Sequence, residues 1–187
     1  LEKGYDNTTI QNIVDELGGL TKGAVYHHFK SKEEIMDALS AKMFSNHNPF
    51  EAVKKRTDLN GLQKMKMAIL LNQSDEKQVE LSKQAIPLLK NPHVLARMME
   101  ENRRILYPYW LELIEEGQRD GSIHTEYAKE LSEFLIVIDL LFIPSIFPGS
   151  FEEIQRRYLF VSEILEKMGL PLYDDELAAM IKSLPYF

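Results

Sequence analysis

The chain reads as an all-α protein, on three observations. Apolar residues recur at intervals of three and four along nearly its whole length, the spacing of one helical face. Strand-like alternation of apolar and polar residues is almost absent. Helix-start signals recur too: "TTIQ" at 8–11 and "SKEE" at 31–34 carry the capping-box spacing. In that motif a Ser or Thr and an acid or amide three residues later satisfy each other's free backbone N–H groups.

The elements follow in order. Ile10, Ile13, Val14 and Leu17 form one face of a first helix, with Thr8 as its cap and Gln11 reaching back. Gly18-Gly19-Leu20 is a turn. Thr21 caps a short second helix, held down by Val25 and Phe29, four residues apart. Ser31 opens a third helix through Ile35, Leu39 and Met43, which should run to about Ser45, where "NHNP" at 46–49 breaks it. Longer helices are predicted at 59–72, 75–90, 93–119, 125–146 and 151–168, with a short one near 174–183. Pro87 and Pro108 lie inside helical stretches, so a kink or break is expected at each. "RDGSIH" at 119–124 is a Gly-marked stop, and "FPGSFEE" at 147–153 is a turn followed by a Ser cap. The scale of the pattern changes near residue 47. It divides the chain into a small unit, 1–46, and a larger helical unit, 47–187.

Composition narrows the function. The 187 residues are 44% hydrophobic, enough to bury a sizeable core. The absence of cysteine rules out disulfides, thiolate zinc sites and Cys nucleophiles, and suits a reducing cytoplasm, the expected location. The longest apolar run, "FLIVIDLLFIPSIF" (134–147), is interrupted by Asp139 and Pro144 and is too short to span a bilayer, so no membrane partner is expected. A net charge of −7 argues against coating nucleic acid with the whole surface, while leaving room for a local basic patch.

Such a patch lies at residues 20–32, which hold three lysines and no acid. A helix, a tight Gly turn and a short second helix make a helix-turn-helix, which sends its second helix into the DNA major groove. With Val25 and Phe29 turned inward, Thr21, Lys22, Gly23, Tyr26, His27 and His28 are left outside. Short donors and flat rings of this kind suit phosphate oxygens and base edges. The competing reading is a packing cluster, and the helix-turn-helix frame favours DNA. The start of the next helix adds free N–H groups and a positive dipole end beside Lys32, a phosphate clamp.

The stretch "GYDNTTIQNIVDELGGLTKGAVYHHFKSKEEIMDAL" (4–39) resembles the DNA-binding domain of TetR-family transcriptional repressors. The pieces that carry the resemblance are G-Y-x-x-T-T-I, the I-V-x-E-L helix, T-K-G-A-V-Y-H-H-F and K-S-K-E-E-I. It implies a homodimer on a palindromic operator in double-stranded DNA. It places Thr8 and Thr9, the 21–27 segment (Thr21, Lys22, Gly23, Ala24, Tyr26 and His27) and Lys32 at the DNA. The turn is one residue longer than the commonest family pattern. Leu1-Glu2-Lys3 reads as the last turn of the family's first helix, most of which is then missing here. Beyond residue 47, a long helix ending "LIEEGQRDGSI" and the following "TEYAKELSEFLIVIDLLF" are similar in order and length to the family's regulatory domain. There the last two long helices form a four-helix bundle with a partner, and a small-molecule effector lies among the others.

Asp139 is the most informative residue of that region. An ionised carboxylate within "FLIVIDLLF" is expensive to bury, so it must be paired, hydrogen-bonded, protonated or facing a wet cavity. Two readings stay open. One is a structural partner: Arg103, Arg104 or a Tyr hydroxyl. The other is a polar anchor in an apolar cavity lined by Met67, Met98, Trp110 and Phe142, between the helices at 59–72, 93–119 and 125–146. The methionine pairs, Met65 with Met67 and Met98 with Met99, suit core gaps and adaptable pockets alike. The segment from Phe134 to Phe142 is apolar almost all round, so it is expected to pack on its own domain and on a twin helix, with Leu135 and Ile138 exposed in a single copy.

Enzymatic readings find no support. His47, His93 and His124 read as structural, since only His47 has an acid at ligand spacing, Glu51, and Pro49 intervenes. No Glu-x-x-His or G-x-S-x-G occurs, and "GGLTKG" lacks the ending of a phosphate loop. The run Lys54-Lys55-Arg56 reads as a solvated linker face. No cofactor or metal is expected. The sequence therefore reads as a ligand-responsive transcriptional regulator, a repressor first. The alternative is a helical ligand-binding or adaptor protein whose helix-turn-helix no longer binds DNA. The acid-free 20–32 segment separates the two, because only a polyanionic partner gives a reason for it.

Overall fold

The computed structural model describes residues 4–19, 21–38, 48–175 and 177–179, and all regular structure among them is helical. Two compact units divide the chain, Leu1–Asn48 and Pro49–Phe187.

The small unit contains α1 (Gly4–Asn7), α2 (Ile10–Leu17), α3 (Lys22–His28) and α4 (32–38). Thr9, not Thr8, caps α2. Its Oγ1 accepts from the Asn12 N–H at 3.2 Å, and the Asn12 side chain accepts from the Thr9 N–H at 3.0 Å. The box sits one residue later than the spacing predicted because the Thr8 N–H closes the α1 turn onto the Tyr5 carbonyl at 3.2 Å. Gln11 turns instead to Asp15 at 2.7 Å. Gly18, at φ +47°, ends α2 in the left-handed region, where a residue without Cβ is favoured. Ile10, Val14 and Val25 form the core, with Phe29 and Ile35 packed against it, while Leu17 is 54% exposed. The predicted helix beyond 38, with Leu39, Met43 and the 46–47 break, lies outside the described residues.

The larger unit opens with α5 (Pro49–Lys54), which the sequence reading missed. Six residues are too few for periodicity to show, and the Pro that suggested a break sits at the first helical position, where its missing N–H does no harm. Then come α6 (Gly61–Ser74), α7 (Glu76–Ala85), a 3-10 turn (Ile86–Lys90), α8 (Pro92–Asp120), α9 (Ala128–Ile138), a second 3-10 turn (Asp139–Phe142) and α10 (Phe151–Lys167). Pro87 breaks the predicted 75–90 helix, whereas α8 runs on through Pro108. The helix predicted to reach 146 ends at Ile138. Ile143 is extended, as a residue preceding a proline prefers, and the last turn tightens into the 3-10 form before it. Of the predicted 174–183 helix, 175 and 177–179 are helical among the described residues.

The core is concentrated on the C-terminal half of α8. Met65 of α6, Leu113 and Ile114 of α8, Leu135, Ile136 and Ile138 of α9, and Val161 and Leu165 of α10 are all buried. Here α6 and α8 nearly touch: a Cβ on Gly61 would stand 2.3 Å from the Gly117 amide nitrogen. Asp120 accepts from the Gly61 N–H at 2.7 Å, and Lys64 pairs with Glu116 at 2.6 Å. The other end of the unit is loosely filled. No residue from Pro92 to Glu112 is buried, nor any of Asp139–Phe142. Leu135 and Ile138, expected on the outside, face inward. Val137, Phe151, Leu159 and Phe160 are the exposed apolar residues of α9 and α10.

Candidate nucleic-acid interface and effector site

Local chemistry sets the exposed face of α3. Thr21 Oγ1 accepts from the Ala24 N–H at 3.1 Å, and the Phe29 N–H closes the helix onto the Val25 carbonyl at 2.9 Å. With Val25 buried, Thr21, Lys22, Gly23, Tyr26, His27 and His28 are exposed, and Ala24 is half-buried. Lys22 Nζ stands 5.8 Å from the Tyr26 ring centre, and the rings of His27 and His28 meet edge-on at 5.1 Å. The nearest atom to a Cβ built on Gly23 is 4.0 Å away, so the backbone is open to close approach. Thr9 is exposed and Thr8 half-buried.

Lys32 differs from the simple phosphate clamp predicted. It is half-buried, its ammonium stands 3.9 Å from the Tyr5 ring centre, and it donates to the Tyr5 carbonyl. The Tyr5 hydroxyl donates to Glu33 Oε1 at 2.9 Å. Glu33's own backbone N–H and then that hydroxyl hold its carboxyl below the usual range. One tyrosine therefore grips the first turn of α4 twice. That turn is capped by Ser31, whose Oγ accepts from the Glu34 N–H at 3.2 Å, while Glu34 accepts from the Lys30 N–H at 2.6 Å. An ammonium has three donors, and the Tyr5 carbonyl takes one. Sequence reasoning missed Tyr5 and Glu33, although Tyr5 belongs to the quoted G-Y motif.

In the larger unit, Met67, Met98, Trp110 and Phe142 are all half-buried. Asp139 combines two properties that rarely coincide. It keeps a large accessible surface, yet protein surrounds it so fully that burial pushes its carboxyl up to about 6. A side chain is both only on the wall of a hollow or deep pit. Among the described residues no hydrogen bond or ion pair reaches the carboxylate. Of the partners considered for it, Arg104 pairs with Glu101 at 2.6 Å and Arg103 is exposed. Tyr173, which the sequence reading did not single out, has its phenol pushed up by burial and then by the charge of Asp139. An open recess of about 550 Å³ between α6 and α8, reaching Asp58, Asn60, Glu116 and Asp120, shares no residue with the predicted pocket. Among the described residues no cluster of three or more His, Asp or Glu is placed to hold a metal, and no helix is long and apolar enough to cross a membrane.

Residues 1–39 match the family profile of bacterial regulatory proteins, tetR family, and this segment ends on α4 with the exposed face of α3 inside it. The chain belongs to the TetR family. A curated TetR-family relative is the HTH-type transcriptional repressor KstR2 of Rhodococcus jostii (strain RHA1), 24% identical over 141 residues. The match covers 70% of this chain, which spans about 65% of the relative's length.

Proposed function

We propose that this TetR-family chain is a ligand-responsive transcriptional repressor of the cytoplasm, binding a palindromic operator as a homodimer. The observation that carries the reading is the exposed, acid-free face of α3, with Thr21, Lys22, Gly23, Tyr26 and His27 outward over a buried Val25. Lysines and helix N-termini supply sequence-independent attraction to phosphates, and the α3 side chains supply base contacts. Thr8, Thr9, Ala24 and Lys32 border that face. Repression is the direction supported by the name of the relative.

Twin copies pair through α9 and α10, the helices that leave Val137, Leu159 and Phe160 in water. Apolar residues clustered outward on two helices are the ordinary mark of an interface. The effector lies in the loosely filled end, against Met67, Met98, Phe142 and Asp139, with Trp110 at its border. Its binding favours a spacing of the two α3 helices that no longer fits successive major grooves, and its differential affinity for the two states sets the size of the effect.

Selection of the chain against a random duplex library tests the reading. An enriched inverted repeat, bound with an affinity that falls steeply with salt, is the expected result. Enrichment of no inverted repeat overturns it.

A further inference from the structure

The effector reading above leaves the chemistry of the ligand open, and two side chains narrow it. Asp139 opens the 3-10 turn after α9. Tyr173 follows α10, its carbonyl held by the Ser162 hydroxyl at 2.9 Å and its ring edge-on to Tyr158 at 5.1 Å. The two are close enough for the charge of one to act on the phenol of the other. No described group bonds the Asp139 carboxylate, and burial is the cause of its shift with no neighbouring cation to oppose it. Cations on the surrounding helices are committed elsewhere. Arg157 donates to the carbonyls of Leu141, Phe147 and Pro148, Lys66 pairs with Asp174 at 2.6 Å, and Arg104 pairs with Glu101.

A carboxylate enclosed by protein and left without a counter-charge is costly, and whatever removes that cost binds well. An alcohol offers one hydrogen bond and leaves the charge standing. A carboxylate or phosphate adds a like charge. An ammonium neutralises the site, and the adjacent tyrosine ring favours it further. Half-buried Met67, Met98 and Phe142 provide thioether and aromatic surface for an apolar body. We infer that the effector site takes an apolar organic cation, with its positive head at Asp139 and Tyr173.

The test uses three probes with one chain length and three heads: decyltrimethylammonium, decanol and decanoate, each below its micelle concentration. Binding to the whole chain is measured by titration calorimetry, alongside operator gel shifts of the same samples. The cation should bind at least about tenfold tighter than decanol, a gap within reach of a compensated charge and one ring contact. Decanoate should bind weakest. Asp139→Asn should bring the cation to the level of decanol without moving decanol itself, and Tyr173→Leu should narrow the gap severalfold. Equal binding of the cation and the alcohol, or a preference that survives Asp139→Asn, overturns the cationic reading while leaving an apolar site standing. Failure of all three to bind overturns both. A cation that binds through Asp139 but leaves the operator complex intact upholds this inference and sinks the regulatory one.

Discussion

Lys32 lays its ammonium over the Tyr5 ring while donating to the Tyr5 carbonyl, so the cation at the start of α4 is also the strut that ties α4 to α1. Lys32→Ala should therefore do two things. It should lower the melting temperature by a few degrees, and it should lower the slope of log affinity against log salt by about one per protomer. A lower melting temperature with an unchanged salt slope would leave Lys32 as a strut alone. Tyr5→Phe keeps the ring and should spare most of the affinity.

Two substitutions on α3 should separate. Thr21→Ala removes a helix cap as well as a DNA contact, and should cost about 1 kcal/mol of stability along with affinity. His27→Ala touches an exposed ring and should leave stability intact while changing which bases the selected sites prefer. Identical site preferences for wild type and His27→Ala would remove His27 from base readout.

Phe160→Glu and Val137→Glu should give folded monomers in light scattering, since both positions face water in the single chain. Leu135→Glu places a charge in the core and should destabilise by roughly 3 kcal/mol or more. Should both exposed-site variants remain dimeric, the twin contact lies away from α9 and α10.

Asp139 sets a pH dependence whose sign is fixed. Its folded carboxyl titrates at about 6, above its ordinary value of 3.8, so the folded chain holds this proton more tightly than the unfolded one. Stability from this group is then highest below the ordinary value and is lost as pH rises toward and through about 6. Without ligand, Asp139→Asn should melt above wild type at pH 7.5, and the gap should close as pH falls to 4. A variant that melts well below wild type at pH 7.5 would mean that the carboxylate has a structural partner.

Gly61→Ala drives a methyl into the Gly117 backbone, which cannot move aside as a side chain end would. The cost should be roughly 1–3 kcal/mol, or roughly 2–10 °C in melting temperature. Normal melting of this variant would show that α6 and α8 slide apart without penalty.

The helices were legible where periodicity had length to work with. α8 and α10 fall within one residue of their predicted bounds, and the α2–α3 frame follows from Val14, Val25 and the Gly18 turn. What was hidden turned on contacts between distant residues. Nothing in "SKEE" says that Tyr5, 27 positions earlier, will occupy Lys32. Leu135 and Val137 look alike in the sequence, yet one is buried and the other in water, because α9 has a neighbour on only part of its surface. Tyr173 came to notice only when folding brought it to Asp139.

Trp110 is the sole tryptophan of the chain, and it stands edge-on to Phe50 at 4.7 Å, next to the stack of Phe50 on Tyr109. The molecule thus has a single indole emitter, positioned where α5 seats on α8. Because α5 is the first element after the chain leaves its small unit, light absorbed at that one ring reports how the passage between units is seated. Any event that reseats α5 alters the quenching environment of the indole and changes its emission, with no dye attached.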